Sequence, residues 1–339
     1  MTLPTKLPSA SSRDRLRYDA TVPRALVHRA SVAEVFITDS VAAATNGIGR
    51  AEATFEVAAQ LPRGHLIGER SATYDFLLIV EVLRQSGVFV AHRHLDVPLD
   101  SAFIFKSMNY QVRSVDALRI GTKPAHLVIS LDVRAERNRA GRVLGFDFDA
   151  VMFVDDVPAL EASGGLVFVS KRAFSMLRAK GRDRVRSAAP GSTLVSRLAP
   201  ASPVALGRRD PRNVVVTEPT VDPSGNARAR LVVDTQHPHL FDHELDHVPG
   251  NLQLEAARQL AVAAVARLHG LFPEQLLVTE LRAHFPEFAE LDLATTVDAR
   301  VGGVRQSKAV GLLSVPVDIV LEQIGSTVSE VAVEVALWA

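Results

Sequence analysis

Two stretches of this chain are apolar on almost every side, and each carries the same charged triple in its middle. After the break at Pro249-Gly250, residues through about Leu268 place Leu252, Leu254, Ala256, Ala257, Leu260, Ala261, Val262, Ala264 and Val265 all round a helix. A helix apolar on every face is buried. Glu255, Arg258 and Gln259 stand at i, i+3 and i+4 and so share one face of it. From about Asp75 to His92 the pattern recurs, with Glu81, Arg84 and Gln85 at the same spacing. Burying such groups is costly unless they are paired or used.

Around these helices the pattern changes to the two-residue period of strands. In 146–154 the even positions are apolar while Asp147 and Asp149 are acidic, and at 331–337 the odd positions are large and apolar. Further strand-like runs lie at 54–59, 102–105 leading on to 110–112, and 127–133. In the second half they lie at 214–217, 230–233, 276–279, 295–301 and 313–319. A short helix is expected over 172–179. Glu255 follows Glu81 by 174 residues, and His239-Leu240 follows His65-Leu66 by the same number. Two elements matching at one offset indicate a duplicated module. Strand, loop, buried helix, then three or more antiparallel strands describes a curved sheet wrapped on a central helix, an α+β fold. The expected division is a flexible tail over 1–24, a first module over 25–180, a linker over 181–213 and a second module over 214–339.

The linker is rich in Ser, Pro, Ala and Arg, and its start is basic: Lys171, Arg172, Arg178, Lys180, Arg182, Arg184 and Arg186 face only Asp183. Such a run reads as a solvated connector or as a docking patch for an acidic partner. The chain has 339 residues, 47% of them hydrophobic, no net charge and no cysteine. Its length allows one large domain or two of about 150 residues, and its hydrophobic share is enough for real cores. Its neutrality gives no ground for nucleic-acid binding. Without cysteine there are no disulfides, thiolate nucleophiles or Cys-ligated zinc, which fits a reducing cytoplasm. No apolar run resembles a signal peptide or a membrane span.

The run His237-Pro238-His239-Leu240-Phe241-Asp242-His243-Glu244-Leu245-Asp246-His247-Val248-Pro249-Gly250, followed by Leu254-Glu255-Ala256-Ala257-Arg258-Gln259, resembles the second repeat of the A-factor biosynthesis hot-dog family, the γ-butyrolactone synthases. Residues 27–35 resemble that family's opening, and Val80 to Gly87 with Val97-Pro98-Leu99 resemble its first-repeat helix. The resemblance runs from about Leu26 to the C-terminus. It implies a tandem double hot-dog and a β-ketoacyl transfer. The donor is a 3-oxoacyl group on acyl carrier protein, and the acceptor is the hydroxyl of dihydroxyacetone phosphate. Condensation of the ester then gives a butenolide phosphate, a precursor of γ-butyrolactone-type signals. A more distant resemblance is to hot-dog dehydratases of fatty-acid synthesis, in which a loop His, a Pro-Gly turn and a helical Glu form the site. Asp242-His243 stands near the place of that His, in a loop about two residues shorter, so His243 and His239 both remain candidates.

Acyl transfer to a hydroxyl needs a base, donors for an oxyanion and a cation for the phosphate. Glu255 in an apolar helix is expected to have a raised pKa and to act as acid or base. His243 or His239 shares that role, and Arg258 binds phosphate or orients Glu255. The helix-start N–H groups near Gly250 and Asn251 offer an oxyanion hole. Glu81, Arg84, Gln85, Gln259 and His65 complete the candidate site, with the second repeat as the favoured centre. The four histidines at 237, 239, 243 and 247 also suggest zinc, but Pro238, Pro249 and the loop character weigh against it, so neither metal nor cofactor is expected. His92 and His94 are expected at an exposed helix end, and Gly47-Ile48-Gly49 reads as a turn. Phe103, Phe105, Phe146, Phe148 and Trp338 are read as core. A dehydratase, a thioesterase and a non-catalytic acyl-ligand binder are the competing readings. One chain holding two hot-dog units fits a monomer or a homodimer.

Overall fold

A computed structural model describes residues 14–43, 52–69, 71–188 and 198–338. The turn expected at Gly47-Ile48-Gly49 lies outside them. The first module consists of β1 (Ile37–Ala43), β2 (Ala53–Leu61), α1 (Phe76–His94), β3 (Ala102–Val112), β4 (Ala125–Arg137), β5 (Val143–Val154) and β6 (Val157–Val169). Helix α2 (Lys171–Ala188) follows. The second module consists of β7 (Thr220–Val221), β8 (Asn226–Arg230), α3 (Gly250–His269), β9 (Leu276–His284), β10 (Thr296–Val301), β11 (Arg305–Gln306), β12 (Leu313–Gln323) and β13 (Ser326–Leu337).

All strands join one antiparallel sheet in the order β1-β2-β4-β5-β6-β3-β9-β13-β12-β10-β8-β7, with β11 beside β12. The order reads as a module followed by its mirror image. The modules meet edge to edge at β3 and β9, where Tyr110 pairs with Leu281 and Ser107 with His284. The fold is therefore a tandem double hot-dog, with each half-sheet curved around its own helix. Sixteen residues of α1 and fifteen of α3 are buried, which is why neither helix shows a polar stripe. Both helices lie in one continuous apolar core. None of the described helices is long and apolar enough to cross a membrane.

Several elements differ from the sequence reading. Strand β6 was not expected, because Ser163-Gly164-Gly165 interrupts its apolar pattern. Gly164 is needed there: a Cβ would lie 2.7 Å from the Ser107 carbonyl oxygen and 2.9 Å from the Phe148 ring. Residues 214–217 form no strand. They leave a short 3₁₀ turn (Pro211–Asn213), and Val216 makes only an isolated bridge to Leu231. Helix α2 is more than twice as long as predicted because its arginines are anchored on the second module. Arg178 is buried and grips Glu290 through both terminal nitrogens, at 2.7 and 2.8 Å, and Asp246 at 3.1 Å. Arg182 bonds the same two carboxylates, and Arg184 bonds Glu287. Three cations of the basic run are thus spent within the chain.

Near the N-terminus Leu16 is buried with Ala58, Val128 and Phe153, and Tyr18 stacks on His126. Phe146 and Phe148 are fully buried, whereas Phe103, Phe105 and Trp338 pack against the core from its margin. His92 is buried and His94 half-buried, against expectation. The first bonds the Val97 carbonyl and His28, and the second stacks on Phe55 and bonds Ser40.

Candidate active site

The site is built from two related segments that precede the modules' sheets. In residues 22–37 a 3₁₀ turn (Arg24–Val27), a left-handed His28, Arg29 and a second turn (Val32–Glu34) follow one another. In residues 201–216 a turn (Pro203–Leu206), a left-handed Gly207, Arg208 and a turn (Pro211–Asn213) do the same. Both segments open with the same backbone bond, Val22 to Ile37 and Ala201 to Val216. This repeat, at an offset of 179, escaped the sequence reading, yet it supplies each helix glutamate with a second arginine. The signal was present: Arg29-Ala30-Ser31 and Arg208-Arg209-Asp210 each lead to a Val at +6.

In the second half, Glu255 is 1% exposed. Its Oε1 accepts from Arg208 Nε at 2.8 Å, Arg258 Nη2 at 2.7 Å and Gln259 Nε2 at 2.7 Å, and its Oε2 accepts from Arg258 Nε at 2.9 Å. Arg208 crosses between modules, bonding the Ile67 carbonyl at 3.0 Å and Asp75 at 2.7 Å. Burial pushes the Glu255 carboxyl up, but Arg208 and Arg258 outweigh it and hold it below the usual range. The expected raised pKa is therefore corrected. The expectation counted one arginine on the helix and lacked the one from the strap. Gln259 donates to Glu255 and to the Asn213 carbonyl and accepts from the Val215 N–H, so both donors and its acceptor are engaged.

The first half repeats the cage. Glu81 Oε1 accepts from Arg29, Arg84 and Gln85, its Oε2 accepts from Arg84, and Arg29 reaches across to the His239 carbonyl at 3.0 Å. Gln85 bonds Glu81, the Glu34 carbonyl and the Phe36 N–H, as Gln259 does in its half. Burial again pushes the Glu81 carboxyl up, and Arg29 and Arg84 bring it well below the usual range. The loop and helix of the second module come to this cage. Asn251 Nδ2 donates to Glu81 Oε2 at 2.9 Å, and Asp242 accepts from the N–H groups of Ala30 and Ser31. The candidates Glu81, Arg84, Asn251, His243, His239 and His65 are thus brought together. Glu255, Arg258 and Gln259 form the other cage.

The halves differ in three respects. Asp75 caps α1 beside Glu255, its carboxylate accepting from the Leu77 N–H at 2.9 Å. Helix α3, beside Glu81, follows Pro249 with no side-chain cap, and the N–H groups of Gly250 and Asn251 carry no hydrogen bond among the described residues. The Arg84 side chain is 19% exposed against 9% for Arg258, and His243 beside it is 43% exposed. Lastly, the histidines gather on the Glu81 side. His28 stands where the second half has Gly207, and burial, Arg84, His92 and His243 lower its pKa to about 3. His243 is also lowered, by burial and by Arg29. Backbone bonds align His65 with His237 rather than with His239, since Glu69 N reaches the His65 carbonyl and Phe241 N reaches that of His237. The four loop histidines weighed for zinc each have a different partner: His237 bonds Asn213, His239 bonds Glu34, His243 lies near Asp242 and His247 bonds Asp246.

The model of the A-factor biosynthesis hotdog domain matches residues 10–170 and 192–337. The chain belongs to that family. Among its curated relatives is the 2-oxo-3-(phosphooxy)propyl 3-oxoalkanoate synthase of Streptomyces virginiae, 35% identical over 301 residues, covering 86% of this chain and 93% of the relative. A protein of the same name from Streptomyces coelicolor is 29% identical over 315 residues, covering 91% of this chain and 90% of its own. Among solved structures, a putative oleoyl thioesterase from Lactobacillus plantarum superposes with a TM-score of 0.51 at 10% identity, over 86% of this chain and 98% of that one. That likeness shows the hot-dog fold alone.

Proposed function

We propose that the chain is an acyltransferase that joins a 3-oxoacyl group to the free hydroxyl of dihydroxyacetone phosphate. The observation that carries this reading is the 35% identity, over 86% of the chain, to a synthase whose printed name describes that ester. The donor is a thioester on acyl carrier protein. Condensation of the activated methylene of the ester onto the neighbouring ketone then gives a butenolide phosphate, the precursor of a γ-butyrolactone-type signal made in the cytoplasm.

The geometry favours the Glu81 half as the working half, although the histidine-rich motif belongs to the second repeat. An oxyanion needs donors with no other partner. The N–H groups of Gly250 and Asn251 meet that need, whereas in the other half the Asp75 carboxylate occupies the helix start and would repel an anion. Arg84 is fixed on Glu81 through Nε and Nη2, as Arg258 is on Glu255, and its Nη1 has no acceptor among the described residues, but the Arg84 side chain is 19% exposed against 9% for Arg258. That leaves one planar donor edge for the phosphate. His243 lies next to it at the solvent side. The glutamates, ionised within their arginine cages, aim cations rather than carry protons, so proton transfer falls to an imidazole.

Mass spectrometry of the purified chain with a 3-oxoacyl thioester and dihydroxyacetone phosphate tests the reading. The expected product is the phosphorylated ester or the butenolide derived from it. Release of free 3-oxo acid alone would make the chain a hydrolase, and an untouched thioester would make it a binder.

A further inference from the structure

Glu34 and His239, both buried, and the half-buried His65 form a cluster at the junction of the modules. Glu34 Oε2 lies 2.7 Å from His239 Nδ1, and its Oε1 lies 3.3 Å from His65 Nε2. The hydrogen-bond wiring fixes both rings. Burial pushes the Glu34 carboxyl up, but the bonds from His239 and His65 bring it down to about 2, so it accepts from each. His65 Nδ1 accepts from the Ile67 N–H, which leaves Nε2–H for Glu34. His239 spends Nδ1–H on Glu34. Its Nε2 then presents a lone pair, and that atom is buried with no hydrogen-bond partner. The residue itself is 1% exposed. A buried polar atom without a partner calls for an explanation in function or in an absent ligand.

The duplication supplies a control within the same molecule. The counterpart of Glu34 is Asn213, that of His65 is His237 and that of His239 is Ile67, since Arg208 takes the Ile67 carbonyl as Arg29 takes that of His239. In that half His237 Nε2 meets Asn213 Oδ1 at 3.1 Å, and its Nδ1 accepts from His239 N and Leu240 N. A neutral amide, one histidine and an isoleucine are therefore enough to hold the loop. The first half places a carboxylate and a second imidazole in the same frame, at the desolvation cost of a buried charge. Architecture does not require them.

We propose that His239 is the base that takes the proton of the acceptor hydroxyl, with Glu34 holding its tautomer and His65 positioning Glu34. This rests on the acyltransferase reading above. The hydroxyl proton passes to His239 Nε2 as the oxygen attacks the thioester carbonyl and the C–O bond forms. When the tetrahedral intermediate collapses, the C–S bond breaks and the imidazolium returns that proton to the departing thiolate. A carboxylate orienting an imidazole through Nδ1–H while Nε2 handles the proton is the logic of serine-hydrolase triads. Here no protein nucleophile is interposed. The charged and titratable groups around His239 are Glu34, His65, Glu81, Arg29 and His237.

The test uses the full chain and two variants, Glu34→Gln and the double variant Glu34→Asn with His239→Ile. The double variant installs the residue types the other half already uses, so it is expected to fold. Its Tm should stay within a few degrees of wild type, with kcat reduced about 10²–10⁴-fold and KM nearly unchanged. Nitrogen-15 spectra of histidine-labelled protein should show His239 protonated on Nδ1 and bare on Nε2, a pattern lost in Glu34→Gln. Retention of kcat within about threefold in the double variant, or a ring protonated on Nε2 alone, would overturn the proposal. So would stoichiometric binding of added Zn²⁺ that the double variant abolishes, since the cluster would then be a metal site. Lack of turnover by wild type refutes the reaction assigned above, and the spectra and Zn²⁺ titration still decide whether the orienting pair exists.

Discussion

Replacing Arg208 by Met is expected to destabilise the protein more than any exposed substitution in the second module. The side chain is 2% exposed and makes two contacts to Glu255, at 2.7 and 2.8 Å, two to Asp75, at 2.7 and 3.4 Å, and one to the Ile67 carbonyl at 3.0 Å. Methionine fills much of the space but removes every donor. Glu255 keeps Arg258 and Gln259 and loses half of its compensating charge, while the Ile67 carbonyl loses its Arg208 donor. Breaking a buried pair from one side costs roughly 3–5 kcal/mol. That is a large share of the ~5–15 kcal/mol by which folded proteins are stable. At about 2–4 °C per kcal/mol for a larger domain, Tm should fall by roughly 10 °C. Thermal unfolding followed by circular dichroism, at fixed protein concentration and pH 7, measures it. Arg208→Lys should recover little, because an ammonium cannot reproduce the planar fork. A Tm within about 2 °C of wild type for Arg208→Met would show that Glu255 does not depend on the strap arginine, and the account of both cages would fail with it.

Other perturbations have distinct readouts. His28 and His237 are held at about 3 and about 4, chiefly by burial. A histidine whose folded pKa is depressed takes up protons on unfolding, so stability is complete above pH 6.5 and falls as pH drops from there toward 3 to 4. Tm should therefore decline between pH 7 and 5, before most carboxylates titrate, and a flat profile over that window would contradict the placement of these rings. Gly164→Ala forces a methyl group against the Ser107 carbonyl and the Phe148 ring and should cost about 1–3 kcal/mol in urea unfolding; an unchanged midpoint would mean that β3 and β6 can separate freely there. Arg178→Ala should release α2 from Glu290 and Asp246, giving faster proteolytic cleavage within 171–188 at the wild-type ratio of the remaining fragments. Equal cleavage rates would show that the anchor is dispensable.

Much of the fold was legible because buried helices and half-buried strands leave different periods in the sequence. The charged triples at Glu81 and Glu255 marked both central helices, and the 174-residue offset marked the duplication. What the sequence pattern hides is carried by short, irregular segments. Arg29 and Arg208 sit after left-handed residues in 3₁₀ turns, where there is no period to follow. Glu34 is one polar residue within the 27–35 opening, and only the tertiary contact with His239, 205 residues away, gives it meaning. Strand β6 was hidden by the very glycines its crowded crossing needs. The pairing of His65 with His239 at one offset was a coincidence of spacing, because the second loop is two residues longer between the aligned histidine and the helix. The pKa of Glu255 is hidden for a related reason: burial is readable from the helix, but a compensating cation, Arg208, comes from elsewhere in the chain.

The most direct test of the central claim compares Arg84→Met with Arg258→Met in the same product-forming assay with dihydroxyacetone phosphate and a 3-oxoacyl thioester. The two residues occupy equivalent places on equivalent helices, so general damage to a cage is matched between them. If the Glu81 half is the working half, Arg84→Met should lower kcat/KM for dihydroxyacetone phosphate roughly 10–100-fold more than Arg258→Met does. The reverse order, with Arg258→Met the more damaging, would place the chemistry in the Glu255 half and contradict the account.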